Sequence, residues 1–384
     1  MDLTLIMTED CNLRCRYCYQ KDFIRTEMPL EIAMSALNSA VSRSSERLSL
    51  TFFGGEPLLR AERLFEVLRY ARTLERRSGI PITAKVPTNG LLLDDAIIEE
   101  AGRWGLFVSL SFDGIRQAQD AGRVRPDGAS SYEAALAALR RLVAARRPFG
   151  VYSVVTPQNA RWFAQSRQFL WDEGARIFVS ALDYTARWDA ASIDALRKQY
   201  AVIAQFYRQL LRQREHFHFE PFDSRISQHT RPKDWQRCCP GISQVTVGPD
   251  GTLYGCVEYF YRRLHPLGSA ASWLDAPSVR AMASERGGLP EECSGCGVRE
   301  RCNNNCACVN LRTTGKANQP PESLCLTEQQ TLFIIDAVAA ALYTEKTPEF
   351  LLRQYSASFN MLSSVEKLIE SLEAEHEPAI ARKA

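Results

Sequence analysis

Near the start of the chain, the stretch CNLRCRYCYQ places Cys11, Cys15 and Cys18 at spacings of four and three. Thiolates at such intervals on one short loop can wrap a single metal centre. A cubane [4Fe–4S] cluster takes cysteine thiolates on its irons. Three cysteines therefore leave one iron open to a substrate or cofactor, as the open position does in a catalytic zinc site. A zinc ion or a chance spacing is the alternative. Zinc wants a fourth ligand, however, and no His or further Cys lies close by in sequence.

A second set of thiols lies far downstream. The run CSGCGVRERCNNNC gives C-x2-C-x5-C-x3-C at Cys293, Cys296, Cys302 and Cys306. Upstream, Cys239, Gly251 and Cys256 fit C-x11-G-x4-C, and Cys325 lies beyond. No cysteine falls between Cys18 and Cys238, whereas thiols used only as small core residues would scatter. Structural disulfides are disfavoured in a reducing compartment, so metal ligation is the leading reading. A zinc ribbon accounts for the C-x2-C pairs but not for the triad at the start.

Composition narrows the class. A chain of 384 residues exceeds one ordinary core and suggests two domains, or a large barrel with additions. The net charge of +2 comes with no Lys/Arg block, so nucleic acid is not an indicated partner. MDLTLIMTED lacks the basic-then-apolar order of a signal peptide. No apolar stretch approaches the roughly 20 residues that span a bilayer. The expectation is a cytoplasmic protein with no membrane partner.

Positioning these thiols falls to alternating elements. Apolar runs predict strands at 2–8, 48–53, 82–88, 106–112, 149–156 and 175–182, with amphipathic helices between them, such as 130–146. This alternation argues for a parallel sheet with helices outside, a partial (β/α)6 barrel of α/β class whose chemistry sits at the C-terminal strand ends. A helical stretch at 189–215 comes next. From 236 the texture turns to short β-like segments, turns and cysteines, and residues 331–346 return to helix, with a new helix starting within 347–350. The expected units are 1–188 (barrel), 189–235 (helical bridge), 236–330 (a small α+β accessory domain) and 331–384 (C-terminal helices, frayed from about 375). HFHFEPF at 216–222 reads as a strand rather than a metal site.

The pattern C-x3-C-x2-C, with aromatic Tyr17 before its last cysteine, resembles the radical S-adenosylmethionine (SAM) superfamily. The resemblance implies that SAM chelates the open iron and is cleaved to methionine and a 5′-deoxyadenosyl radical, which takes hydrogen from a substrate. TFFGGEPLL, after the second strand, resembles the superfamily's GGE motif: Gly54 and Gly55 allow close backbone approach, and Glu56 can accept from the SAM ammonium. SLSFDG resembles an S-x-D-G segment and makes Ser111 a SAM contact. QDAGRV matches a family pattern in which Arg123 meets the SAM carboxylate. Thr88, Asn89 and Asn159 stand at contact positions, with turn capping as the other reading.

The downstream cysteines resemble the seven-cysteine pattern of the SPASM domain, which holds two further Fe–S clusters. The resemblance implies three clusters in all. Cys239, Cys256 and Cys306 hold auxiliary cluster I, and Cys293, Cys296, Cys302 and Cys325 hold auxiliary cluster II. Cys238 completes cluster I, or that cluster keeps an open iron. Cys308 falls outside the pattern and reads as a buried thiol. SPASM-bearing relatives mostly modify peptides and proteins. Sulfatase-maturing members resemble one another in an Asp directly after the cysteine equivalent to Cys256, where this chain has Val257, then Glu258. The resemblance thus points to a maturase of ribosomally made precursor peptides that installs a carbon-centred cross-link. Sulfatase maturation, a small-molecule dehydrogenase, or a non-enzymatic zinc or iron–sulfur scaffold are the alternatives. Glu258, Tyr259, Asp183 and Tyr184 are candidates for base or radical relay, with surface or packing duty as the other reading. The cluster loop begins at residue 11, which leaves no room ahead of it for the winged-helix leader module of many maturases. Leader recognition is expected on the barrel, the accessory surface, the C-terminal helices or a separate leader-binding protein. The electron donor is expected to be external, a flavodoxin or ferredoxin.

Overall fold

The structure, a computed structural model, describes residues 1–20, 22–230, 241–285, 288, 290–302 and 306–356. Cys238, Cys239 and the polar end of the chain lie outside the described residues.

Strands and helices alternate through the first half: β1 (Asp2–Thr8), α1 (Leu30–Val41), β2 (Leu48–Gly54), α2 (Ala61–Ser78), β3 (Ile82–Thr88), α3 (Asp95–Arg103), β4 (Leu106–Ser111), α4 (Arg116–Gly122), α5 (Tyr132–Ala144), β5 (Phe149–Val155), α6 (Phe163–Asp172) and β6 (Ile177–Leu182). Every residue of β1 after Asp2 is buried, as expected of a parallel strand covered on both faces. The helices start and stop on local chemistry. The Asp94 carboxylate accepts from the Ile97 amide to cap α3, and α2 ends on left-handed Gly79. Strands β1 to β6 pair in sequence order, all parallel, which is the six-unit sheet the alternation predicts. The predicted strands at 106–112, 149–156 and 175–182 are each one or two residues longer than the observed ones.

Next come α7 (Ala190–Arg212), β7 (His218–Phe219) and α8 (Phe222–Thr230). The strand expected over 216–222 is therefore only two residues long. Pro221 has no N–H for a ladder, and α8 begins immediately after it. Beyond lie β8 (Gln244–Val247), β9 (Thr252–Tyr254), α9 (Val257–Tyr261), β10 (Gly268–Ser269), β11 (Trp273–Leu274), α10 (Ala276–Glu285), α11 (Ala307–Thr314), α12 (Glu322–Thr344) and α13 (Pro348–Tyr355). Among the described residues the sheet runs β11-β10-β9-β8-β1-β2-β3-β4-β5-β6-β7. β8 pairs in parallel with the free edge of β1, Asp2 opposite Gln244, so the boundary expected at 236 is not a break in the sheet.

One expectation is corrected. α12 is long and apolar enough, by length and composition alone, to cross a membrane. The sequence reading missed it because Thr331, Asp336 and two glutamines interrupt the apolar run, and the helix starts nine residues before its apolar half. In the structure, Leu332, Ile335, Val338 and Leu342 of α12 are buried, and the helix packs on α7 and α8.

Candidate active site

The cluster loop leaves the C-terminal end of β1 and is held from three sides. Its backbone pairs with the segment after α4: the Arg14 amide donates to the Val124 carbonyl at 2.7 Å and the Arg16 amide to the Gly122 carbonyl at 2.8 Å. A side chain at Gly122 would overlap the Tyr17 ring, so glycine there lets the ring lie against the end of α4. From the other side, the Gly55 amide donates to the Thr8 carbonyl and the Glu56 amide to the Asp10 carbonyl, at 2.9 and 2.8 Å. A Cβ at Gly55 would overlap the Asp10 carbonyl oxygen, and Gly54 (φ +151°) is equally close to Thr8. The GGE turn therefore abuts the cluster loop directly.

Glu56 is buried and accepts three hydrogen bonds: from the Leu58 amide at 3.1 Å, the Thr88 hydroxyl at 2.8 Å and the Asn89 amide at 2.8 Å. Burial raises its pKa, and these three donors oppose the rise. Three of about four carboxylate acceptor positions are thus taken, which makes Glu56 first a strut between β2 and β3. Thr88 and Asn89 share that duty. The Asn89 amide group also donates to Asn12 Oδ1 at 2.7 Å and lies 4.0 Å from Cys11 Sγ, so it reaches the cluster loop itself.

On the opposite wall, Asp113 is a hub that sequence reasoning passed over, although it is the D of SLSFDG. Its carboxylate accepts from the Tyr17 hydroxyl at 2.7 Å and the Val154 amide at 2.9 Å, and Arg123 Nε lies 3.2 Å from it. Arg123 is buried, stacks over Tyr17 at 5.3 Å and is held protonated by Asp113 despite its desolvation. The contact expected from Arg123 to a SAM carboxylate therefore starts from a guanidinium already anchored on one side. Ser111 closes β4, half-buried and opposite Tyr152. The Asn159 side-chain amide donates to the Val154 carbonyl and accepts from the Thr156 amide, so it caps the turn after β5.

Burial pushes the Cys11 and Cys15 thiols up to about 12 and about 11, with Arg123 pulling Cys15 back. Half-buried like Cys18, these thiols suit a positively charged iron centre that can hold them as thiolates. Among the described residues no three His, Cys, Asp or Glu side chains surround the position of a single ion.

In front of the loop opens a cleft of about 520 Å³. Its walls are Arg16, Tyr17, Cys18 and Tyr19 of the loop, Thr156 and Gln158 after β5, Asp183 and Thr185 after β6, and Arg312 of α11. Glu258 pairs with Arg312 at 3.1 Å. Burial raises its pKa, Arg312 opposes, and the nearby Asp183 adds to the rise. Asp183 thus lines the cleft, whereas Glu258 does not and reaches its wall only through Arg312. Tyr184 instead donates to Glu328 at 3.2 Å, and Tyr259 is buried edge-on against His265; neither lines the cleft. Tyr19 packs against Tyr261 with ring centres 5.3 Å apart and planes tilted by 55°, bridging the loop and the accessory region, a contact no spacing rule predicts.

The accessory thiols fall into two groups. Cys293, Cys296, Cys302 and Cys325 line one small cavity, the four-thiol set expected for auxiliary cluster II. At a second place Cys256 meets Cys308, where the structure differs from expectation. Cys308 is buried but not isolated: its sulfur lies 2.9 Å from that of Cys256. Cys256 first and Cys306 next push the Cys308 thiol up, while Cys308 draws the Cys306 thiol down to about 7.

Residues 5–170 match the model of the Radical SAM superfamily. They are a radical SAM domain. An uncharacterized protein of Methanocaldococcus jannaschii is 27% identical over 168 residues; the match covers 44% of this chain and 57% of that protein. The serine-type anaerobic sulfatase-maturating enzyme of Klebsiella aerogenes is 26% identical over 322 residues, 77% of this chain and 76% of that enzyme. Among solved structures, native anSMEcpe with bound AdoMet and Cp18Cys peptide superimposes with a TM-score of 0.73 at 18% identity, over 89% of this chain and 100% of that one. Streptococcus suis SuiB bound to precursor peptide SuiA does so with 0.60 at 16%, over 84% and 75%. The radical SAM domain and the region C-terminal to it therefore share the fold of radical SAM maturases, and the domain implies SAM and a [4Fe–4S] cluster as cofactors.

Proposed function

We propose that this chain is a radical SAM maturase that oxidises a side chain in a ribosomally made precursor peptide and closes a carbon-centred cross-link. The observation that carries the reading is the cleft of about 520 Å³, which has the open-cornered cysteine loop on one wall and Arg312 of the accessory region on another. When bound, the N-terminal cluster supplies the electron that splits SAM, and the accessory clusters take up the electron left by substrate oxidation. Cys11, Cys15 and Cys18 hold the first cluster. Cys239, Cys256 and Cys306 hold the second, and Cys293, Cys296, Cys302 and Cys325 the third. Gly54, Gly55, Ser111 and Arg123 border the SAM position, with Glu56, Thr88 and Asn89 fixing the turn behind it. Asp183 and Glu258 stand where a substrate proton has to leave, and Arg312 orients Glu258. Arg16, Arg312 and Gln158 give the cleft polar groups for peptide carbonyls and carboxylates. The electron donor is an external protein such as a flavodoxin or ferredoxin, and leader recognition falls to the barrel, the accessory surface, the C-terminal helices or a separate leader-binding protein.

Sulfatase maturation is the second reading, favoured by the similarity to the Klebsiella enzyme over 77% of the chain; Val257 in place of the expected Asp weighs against it. One experiment separates the two. Reconstituted enzyme is incubated anaerobically with SAM, reductant and either the peptide encoded beside its gene or a sulfatase peptide, and the products are treated with a hydrazide. Loss of two hydrogens from the neighbouring peptide without hydrazide capture supports the cross-link. A hydrazide-reactive sulfatase peptide, with the neighbouring peptide unchanged, overturns it.

A further inference from the structure

The inner face of the sheet carries a charge that the fold does not use. Along β3, Ile82, Ala84 and Val86 are buried in one core with Leu64 and Leu68 of α2 and Ile98 of α3, whereas Thr83 and Lys85 between them are exposed. Lys85 therefore lies on the side of the sheet away from those helices. Register carries that side across the neighbours. Thr51 of β2 and Phe107 of β4 stand opposite Lys85, and Ser111 of β4 stands opposite Tyr152, which is exposed. Lysine on an edge strand deters pairing with another chain, but β3 is no edge, since it pairs with both β2 and β4. A parallel strand with neighbours on both sides ordinarily reads as an apolar run, and lysine is depleted from strands. Among the described residues the Lys85 ammonium has no ion-pair or hydrogen-bond partner. The same face leads into the cleft: Tyr152 and Val154 of β5 alternate up to Thr156, and Val179 and Ala181 of β6 up to Asp183, and both Thr156 and Asp183 are cleft walls. β3 ends at Thr88, so Lys85 lies about 10 Å below the C-terminal strand ends.

We propose that this inner face seats an acidic residue of the substrate peptide, an Asp or Glu side chain, with Lys85 as its ion-pair partner and the Thr51 hydroxyl beside it. While the face is open to water, a lone ammonium there is a weakly acting solvated charge. Once a peptide displaces that water, its attraction for a carboxylate rises with the fall in local dielectric, and the contact becomes a charge-assisted hydrogen bond. The cleft above has the matching bias, with two arginines on its walls, Arg16 and Arg312, against one acid, Asp183. A surplus of positive charge along the way favours the entry of an acidic segment. Arg312 is already committed to Glu258, whereas Lys85 is held by no acid, so Lys85 sets the preference at the seat. Its part is specificity, with no share in hydrogen abstraction. This inference rests on the reading of the cleft as a peptide site.

The test uses the full-length chain, loaded anaerobically with iron, sulfide and SAM, without reductant so that no turnover occurs. The probes are a pair of end-blocked peptides of glycine and alanine, labelled with the same fluorophore and identical except for a central Glu or Gln. Fluorescence anisotropy should show the Glu peptide binding about fivefold more tightly to the wild type. Lys85→Gln should remove that preference, Lys85→Arg should retain most of it, and added salt should shrink it. A second readout needs no variant: acetylation of Lys85, followed by peptide mass spectrometry, should be slowed more by the Glu peptide than by the Gln peptide. The proposal is overturned if the wild type binds both peptides alike, if it binds neither at millimolar concentration, or if Lys85→Gln keeps the preference. A Lys85 that held the SAM carboxylate instead would give the first of these results. Failure of the maturase reading looks different. If the wild type leaves the peptide encoded beside its gene unmodified while still preferring Glu over Gln, that reading falls and the acidic seat stands.

Discussion

Around Cys11, Cys15 and Cys18 the fold supplies backbone hydrogen bonds from the 122–124 segment and from Gly55 and Glu56, with Asp113, Tyr17 and Asn89 behind them. Around Cys293, Cys296 and Cys302 it supplies much less. None of residues 290–302 is buried, and the local hydrogen bonds are short-range turns such as Cys296 amide to Cys293 carbonyl. The main anchor there is Arg301, which forks onto Asp336 of α12 at 2.7 and 2.9 Å. A site that must bind SAM at one vacant iron needs its protein ligands pre-set. The cluster proposed on Cys293, Cys296, Cys302 and Cys325 would instead act as the staple, because four thiolates on one centre draw together segments that the chain alone leaves loosely joined.

The largest effect that would expose this contrast is iron removal. A structural metal centre can supply on the order of 10 kcal/mol of local folding free energy. Chelation should therefore bring the amides of residues 291–302 close to the exchange rate of an unstructured chain. The Arg14, Arg16, Gly55 and Glu56 amides should keep most of their protection. Hydrogen exchange read by mass spectrometry checks this, and equal loss of protection in both regions would break the comparison.

Next in size is a matched pair of substitutions. Gly55→Ala forces a Cβ into the Asp10 carbonyl, whereas at Gly297 nothing lies within 4 Å of the added atom. Gly55→Ala should cost about 3 kcal/mol and displace the cluster loop, lowering both iron at the first site and SAM cleavage, while Gly297→Ala should stay within about 0.5 kcal/mol of the wild type. Denaturation midpoints together with 5′-deoxyadenosine yield give both numbers. Smaller again is Glu56→Gln, which places an NH2 against an N–H donor and leaves one buried group unpaired, for about 1–3 kcal/mol. The Asn89 amide should lose protection more than any amide of the accessory region.

The grouping of the thiols is legible in the sequence because residue type and spacing recur together on short segments, and the six-strand sheet is legible because strand and helix periods alternate cleanly. Less legible is whatever depends on two distant segments meeting. Asp113 stands in a recognisable motif, but its part in holding Tyr17, Val154 and Arg123 needs the register of β4 on β5. Cys308 falls outside the pattern, since two-residue spacing across a helix start carries no signal until Cys256 is brought to it. The GGE motif assigns Glu56 to the cofactor, yet its neighbours Thr88 and Asn89, which come from the end of the next strand, take about half of its acceptor capacity.

The smallest effect sharpens the comparison from a part of the barrel that no thiol touches. His218 on β7 lies 3.1 Å from Glu220 and 3.6 Å from Asp223, with Arg353 also facing it. Burial alone would lower its pKa, but the hydrogen bond to Glu220 and the Asp223 charge outweigh burial and Arg353, and the net shift is upward. A histidine whose folded pKa lies above its unfolded value of about 6.5 contributes stability that is fully present below that value and is lost as pH rises through the folded one. Denaturation midpoints of the wild type should therefore fall across that window relative to His218→Gln, in which the slope is absent. Because this edge of the sheet needs no cluster, the same difference in slope should persist after iron is removed. A slope that disappears with the iron would mean that the barrel, too, leans on its metal, and the distinction between a pre-set site and a stapled one would not hold.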